Sequence, residues 1–198
     1  SATTRESDAC ELQPLTEKFG ATLDFDSMIG ATPAFRAALA VSAKAARTHG
    51  TVLIEGESGP GKEMLVRAMH AASPRSKTPL RTISIGSIPA NQIESVLFGH
   101  EKGSFAGAFE RHIGVLQHAD GGTLVIDEID RLPESMQERL ALFLERGDVQ
   151  PIGARHSFRV DVRLIACGNS GLQDLVETGD FRADLHALLT QTQVILPP

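Results

Sequence analysis

The chain has no tryptophan and no tyrosine, and phenylalanine supplies all nine aromatic residues. Single-stranded nucleic acids are gripped by stacking on such rings, so their scarcity argues against a base-stacking surface. Positive charge is also short. The 19 Lys and Arg face 25 Asp and Glu, a formal net charge of -6, and no overall basic footprint for nucleic acid results. Any DNA contact is therefore expected through a domain outside this segment. Two cysteines, Cys10 and Cys167, stand far apart. Neither they nor the seven histidines have metal-ligand spacing, which excludes a disulfide framework or a zinc pattern and fits a reduced, cytoplasmic setting. No apolar run approaches the roughly 20 residues that cross a bilayer, and no signal peptide is visible, so no membrane partner is expected. A start without Met and an end at Leu196-Pro197-Pro198 read as an excised piece.

What is present is organised around Val52–Glu63, VLIEGESGPGKE. An apolar run ends at Glu55, a turn rich in glycine (Gly56, Gly59, Gly61) follows, and after Lys62 come helix-favouring residues. Strand, glycine loop and helix form the context that a phosphate-binding loop requires. Glycines let backbone N–H groups converge on phosphate oxygens, the helix N-terminus adds positive potential, and Lys62 supplies a mobile cation. Position 63 is Glu, where the generic motif has Ser or Thr.

Residues 1–23 are polar without a sustained period and are expected to be a tail or linker; residues 24–198 form the domain. A helix is expected from Pro33 to about Arg47, with Phe35, Ala38, Leu39 and Ser42 on its small or apolar face. Strands are expected near positions 52, 81, 124, 163 and 193, alternating with helices, and a strand pair within Gly147–Val160. That spacing implies a parallel α/β sheet with helices on both faces, whose ligands bind beyond the C-terminal strand ends. The glycine loop, Asp127-Glu128 and Asn169 all fall there. Asp127 emerges from a buried strand, placed to hold Mg²⁺ directly or through water. Glu128 is a candidate base for polarising water. Asn169 either positions that water or senses the γ-phosphate, or is a turn residue. Arg182 sits at a helix start, where a cation opposes the dipole; it either reaches a phosphate on a neighbouring subunit or pairs with Asp180 or Asp184. Gly99–Arg111 (GHEKGSFAGAFER) carries Phe105 and Phe109 among glycines. Either those rings fold back into the core, or the segment is a contact loop.

GESGPGKE, the segment ESVLFGHEKGSFAGAFERHIGVLQHADGGTLVIDEIDRLP and the segment RLIACGNSGLQDLVETGDFRADLHALL resemble the central AAA+ domain of bacterial enhancer-binding proteins, the sigma-54-dependent activators that include NtrC-like response regulators. The resemblance runs from about Phe25 to Pro198. It implies a P-loop NTPase three-layer αβα sandwich with a central parallel sheet, and a helical lid subdomain missing after LPP. It implies ATP and Mg²⁺ as ligands, a hexameric or other ring, and ATP hydrolysis that drives a loop acting on RNA polymerase. By resemblance Gly56, Glu57, Ser58, Gly59, Gly61, Lys62 and Glu63 form the nucleotide loop, with Lys62 on the phosphates. Asp127 holds Mg²⁺, Glu128 the water, and Arg182 is a finger into the neighbour's site. Gly103, Ser104, Phe105, Ala106, Gly107 and Ala108 form the loop that contacts the sigma factor.

Three departures from the family pattern stand out. The contact loop reads GSFAGA, with Ala106 at the place of a threonine, which removes a hydroxyl. Ser84 stands where the family has an Asn that restrains the catalytic Glu, and its shorter side chain is expected not to reach. Leu188 replaces a second arginine and cannot stabilise transferred phosphate charge. The leading reading is an ATPase that activates transcription at sigma-54 promoters. The alternative is a nucleotide-binding regulator that has lost remodelling or turnover.

Overall fold

The computed structural model describes residues 33–57 and 60–196, so the expectations for residues 1–32 and for Ser58 and Gly59 lie outside it. The helix α1 (Pro33–Ala46) leads to β1 (Val52–Glu55), the glycine loop and α2 (Pro60–Ala72). α2 opens at Pro60 rather than after Lys62, because a proline's missing N–H and fixed φ suit the first helical position. Lys62 therefore lies in the first turn. β2 (Leu80–Ser84), α3 (Ile93–Phe98), α4 (Val115–His118) and β3 (Thr123–Asp127) follow. Next come α5 (Glu134–Arg146), the short strands β4 (Asp148–Val149) and β5 (Phe158–Arg159), and β6 (Arg163–Gly168). The chain then runs through α6 (Leu172–Thr178), α7 (Ala183–Leu189) and β7 (Thr192–Ile195).

The central sheet has the order β2-β3-β6-β1-β7, and every neighbouring pair in it is parallel. β4 and β5 pair separately and antiparallel. Side chains of a strand alternate between faces, and the two cores follow that alternation. Leu53, Leu124, Ile126, Leu164 and Ala166 join one cluster with Leu97, Leu116, Leu140 and Leu185 from α3, α4, α5 and α7. Val52, Ile54, Val125, Ile165, Cys167 and Val194 join the other with Leu39, Ala43, Leu65 and Met69 from α1 and α2. The result is the expected three-layer sandwich. Each fully buried aliphatic side chain contributes roughly 2 kcal/mol, so the sheet's central strands are the most strongly fixed part of the chain. Ala38, Leu39 and Ser42 are buried on α1 as expected.

Candidate functional site

The sheet register brings the chemistry-bearing residues to one edge. β6 lies between β1 and β3, pairing Glu55 with Gly168 and Ile126 with Ala166. The residues that end these strands therefore open side by side at the C-terminal edge. A cavity of about 250 Å³ there is lined by Lys62, Asp127, Glu128, Asp130, Arg131, Gly168 and Asn169. A second, of about 370 Å³, lies on the α2 face and shares Lys62 and Asp127 with the first. Cys167 lines its wall, and burial, reinforced by Asp127, pushes that thiol up to about 12. The thiolate is the reactive form, so Cys167 is an inert wall group.

Lys62 is only 8% exposed. Its Nζ donates to the carbonyls of Gly56 (3.0 Å) and Gly168 (3.3 Å), which ties the first turn of α2 to the ends of β1 and β6. An ammonium has three donors, so one remains for the cavity. Glu57 is exposed, and Gly61 has open space around it. Glu63 points outward to Arg67, 2.8 Å away, in a pair exposed on both sides.

Asp127 Oδ1 accepts the Glu128 N–H at 2.8 Å. Glu128 has φ 54° and ψ 44°, and among the described residues it alone is non-glycine with positive φ. Such a backbone costs on the order of 1 kcal/mol or more and persists where neighbours over-determine it. Its side chain is held at both oxygens: Oε1 accepts from Ser84 Oγ at 2.7 Å, and Oε2 lies 3.2 Å from Arg131 Nε. The expectation that Ser84 falls short is overturned. The register sets Ser84 opposite Asp127, and the left-handed turn at Glu128 swings the carboxylate back toward β2, so a serine suffices. Gly86 leaves the room: a Cβ there would lie 2.2 Å from Glu128 Oε2.

Asn169 lines the cavity and is exposed. Arg182 does not join these residues. Its guanidinium makes a two-pronged pair with Asp184, Nε to Oδ1 and Nη2 to Oδ2, both 3.0 Å. Asp184 raises the Arg182 pKa, and Arg182 holds the Asp184 carboxyl below its ordinary range. Of the two partners left open, Asp184 is the one taken. Leu188 is half-buried and packs against the core under α7. In the glycine-rich loop, Gly103 N donates to Ala108 O (2.8 Å) and Ala108 N to Phe105 O (3.1 Å), while the stem pairs His100 with His112 and Ile152. Ala108 is buried, and Ala106 is exposed. Neither ring enters the core. Phe105 is 45% exposed and sits edge-on to His100 at 4.8 Å; Phe109 is 82% exposed.

Arg131 and Gln137 escaped the sequence reading. Gln137 is 2% exposed on α5; its Nε2 donates to Leu132 O (2.8 Å), and its Oε1 accepts from the Arg182 N–H (2.8 Å). It thereby sets where Arg182 begins α7. The available signal was a polar residue on the apolar face beside Met136 and Leu140.

A parallel sheet carrying a strand, glycine loop and helix, with a buried lysine in the first helical turn and an Asp-Glu pair on β3, with β6 between, defines a P-loop NTPase domain. Residues 28–195 match the family described as the Sigma-54 interaction domain, and the chain belongs to that family, the central AAA+ domain of sigma-54 activators. Among relatives, it is 40% identical over 189 residues to the Nif-specific regulatory protein of Rhodobacter capsulatus, covering 94% of this chain and 33% of that protein. It is 43% identical over 185 residues to the transcriptional regulatory protein ZraR of Klebsiella oxytoca, covering 93% and 41%. The chain thus spans well under half the length of these relatives. The crystal structure of NtrX from Brucella abortus superposes with a TM-score of 0.77 at 31% identity, over 85% of this chain and 38% of that one. The same protein has been solved in complex with ATP, at a TM-score of 0.75, 31% identity and the same coverage. The P-loop NTPase domain of a sigma-54 activator from E. coli, at 19% identity and a TM-score of 0.58 over 86% of this chain and 99% of that one, supports the fold alone.

Proposed function

We propose that this domain binds and hydrolyses ATP, and that in a ring of copies the nucleotide state moves the Gly103–Ala108 loop against the sigma factor of RNA polymerase. The observation that carries this reading is the meeting of Lys62, Asp127, Glu128 and Asn169 around one cavity. The ATP and ADP complexes of NtrX support nucleotide as the ligand. In this reading the backbone of Gly56–Gly61, with Glu57, Ser58 and Gly59, cradles phosphates ahead of Lys62 and Glu63. Asp127 would hold Mg²⁺, and the donor set fits a hard cation: Asp130, which lines the same cavity, has an Oδ1 buried without a hydrogen-bond partner, a demand that the ion or its water would meet. The ion, when bound, would offset phosphate charge. Glu128 takes a proton from a water that Asn169 orients; the water oxygen bonds to the γ-phosphorus as its bond to the bridging oxygen breaks, leaving ADP and phosphate. Arg182 reaches a neighbour's nucleotide after leaving Asp184. DNA contact belongs to a domain outside this segment, in a cytoplasmic regulator of the response-regulator type.

A second reading, a nucleotide-responsive regulator without turnover, is favoured by Arg182 resting on Asp184, by Leu188 packing into the core and by Ala106. The deciding experiment is ATP turnover by the full chain, with nucleotide binding measured alongside, in the wild type and in Lys62→Ala, Glu128→Gln and Leu188→Arg. Turnover lost in the first two establishes hydrolysis. Binding without turnover, with a gain on Leu188→Arg, establishes the regulator. No nucleotide binding removes both.

A further inference from the structure

The Glu128 carboxylate has no oxygen without a partner. Ser84 Oγ occupies Oε1 at 2.7 Å and Arg131 Nε stands 3.2 Å from Oε2. Each oxygen keeps a second lone-pair site, but the hydroxyl fixes the direction of the carboxylate and the cation beside it lowers its basicity toward water. We propose that Arg131 is a positioning residue, a latch that holds Glu128 withdrawn and must let go before each turnover. The proposal rests on the reading of Glu128 as the base.

Three observations carry it. First, the seat is built. A Cβ on Gly86 would meet Glu128 Oε2 at 2.2 Å, Arg131 Nη1 at 2.8 Å and Glu128 Cδ at 3.0 Å, so the bare backbone of Gly86 is what admits both side chains. Second, the latch can open. Arg131 and Glu128 side chains are 63% and 36% exposed, and an ion pair so open to water is weak; it restrains without locking. Third, the key enters where the latch sits. Arg131 lines the same cavity as Lys62, Asp127 and Asn169, and a guanidinium suits phosphate oxygens as well as carboxylate. An incoming phosphate competes for Arg131 and leaves Glu128 held by Ser84 alone. Ser84 and Arg131 divide the work: one sets the direction of the carboxylate, the other neutralises it.

The test uses the full chain and measures kcat for ATP together with nucleotide dissociation constants and melting temperature. Arg131→Gln removes the cation, and Gly86→Ala fills the seat, displacing the Glu128 carboxylate and the tip of Arg131 while keeping the guanidinium in the chain. Both are expected to raise kcat by up to about fivefold, the range that loss of a weak exposed pair allows, with melting temperature near that of wild type; nucleotide affinity falls in Arg131→Gln, which loses the guanidinium that meets phosphate, and stays near wild type in Gly86→Ala. Arg131→Lys, which keeps the charge, falls back toward the wild-type rate, an outcome that a merely structural role would not give. Adding Glu128→Gln to Arg131→Gln abolishes the gain. If the wild type shows no turnover, appearance of turnover in the two variants supports the latch, and continued silence overturns it. Unchanged or lower kcat in both variants, with nucleotide still bound and Glu128→Gln inactive, overturns the latch and leaves the base. Wild-type turnover in Glu128→Gln removes the base itself, and the latch falls with it.

Discussion

The two edges of the parallel sheet each carry a buried cation resting on backbone carbonyls. At the C-terminal edge Lys62 donates to Gly56 and Gly168. At the N-terminal edge Arg163, the first residue of β6, donates from Nη2 to Ala45 O (2.6 Å), from Nη1 to Ala46 O (3.3 Å) and from Nε to Gly50 O (3.4 Å). Burial and the neighbouring Arg75 push the Arg163 pKa down, yet a guanidinium starts so high that it stays charged. Two of its acceptors, Ala45 and Ala46, end α1; Ala45 O also accepts from Thr48, and Arg163 serves the Ala46 carbonyl and complements the dipole. The contrast lies in what remains. Arg163 is 1% exposed with its donors on carbonyls that close around it, and it serves as a bolt between α1 and the sheet. Lys62 keeps a donor and opens on two cavities beside carboxylates. A buried cation on carbonyls is structural or chemical according to whether an opening stands next to it.

That contrast can be broken by mutation. The largest effect is expected for Arg163→Leu, which leaves the carbonyls of Ala46 and Gly50 without a donor and strips Ala45 O of its charged one, keeping only Thr48, at roughly 1–3 kcal/mol for each group left unpaired. Urea unfolding is expected to show a loss of about 4 kcal/mol. A loss below about 1 kcal/mol would erase the distinction. Lys62→Ala comes next and acts on a different observable. Nucleotide affinity is expected to fall by about 2 kcal/mol, the value of a hydrogen bond to a charged group, while stability falls by less than in Arg163→Leu, because of its two acceptors only Gly56 O is left without a donor; titration with nucleotide and a urea curve on the same sample check both halves. Arg75 sharpens the N-terminal side. Its guanidinium reaches Gly122 O (3.0 Å), Asp161 O (3.2 Å), Asp161 Oδ1 (2.6 Å) and His49 Nδ1 (3.2 Å), with both partner side chains in solvent. Arg75→Ala is expected to cost about 1–2 kcal/mol, between the bolt and a surface pair. Glu63–Arg67, exposed at 68% and 70%, is that surface pair. Removing it by Arg67→Ala is expected to change stability by less than about 0.5 kcal/mol, which thermal melts can bound.

The Arg182–Asp184 pair gives the smallest effect, and it depends on pH. Asp184 is held below its ordinary range by Arg182, so its folded pKa is depressed. Its contribution is present above the unfolded carboxylate pKa and is lost as pH falls through the lowered folded value. Acid unfolding of Asp184→Asn is expected to begin with that small pH-dependent share already gone.

Much of the architecture was legible. Continuous apolar runs such as Val52–Ile54 and Leu164–Cys167 announced strands, because a sheet buried on both faces demands apolar residues at every position. The glycine loop and the acidic pair after Ile126 announced the site, because phosphate binding and cation binding each need particular residue types at particular strand ends. Pro60 was a helix start hidden in plain view, and Lys62 was consequently placed just outside the helix that contains it. The reach of Ser84, the bridge of Gln137 and the pairing of Arg131 with Glu128 were not legible. Each depends on a φ value or on a partner that the backbone brings close from elsewhere in the fold.

By itself, then, the sequence determined the alternation of strands and helices, the phosphate-loop type and the identity of the acids at the sheet edge. Local spacing and residue chemistry suffice for these. Only the tertiary structure decided which polar groups face one another: Arg163 on the end of α1, Ser84 and Arg131 on Glu128, Arg182 on Asp184 rather than in the cavity. The physical reason is that the backbone chooses the partner: for Arg163 and Ser84 it brings in residues far along the chain, and for Arg131 the left-handed turn at Glu128 selects a near one. The residue types at positions 45, 84 and 163 say what each can donate or accept, but the partner is chosen by strand register and helix packing, which are properties of the whole sheet.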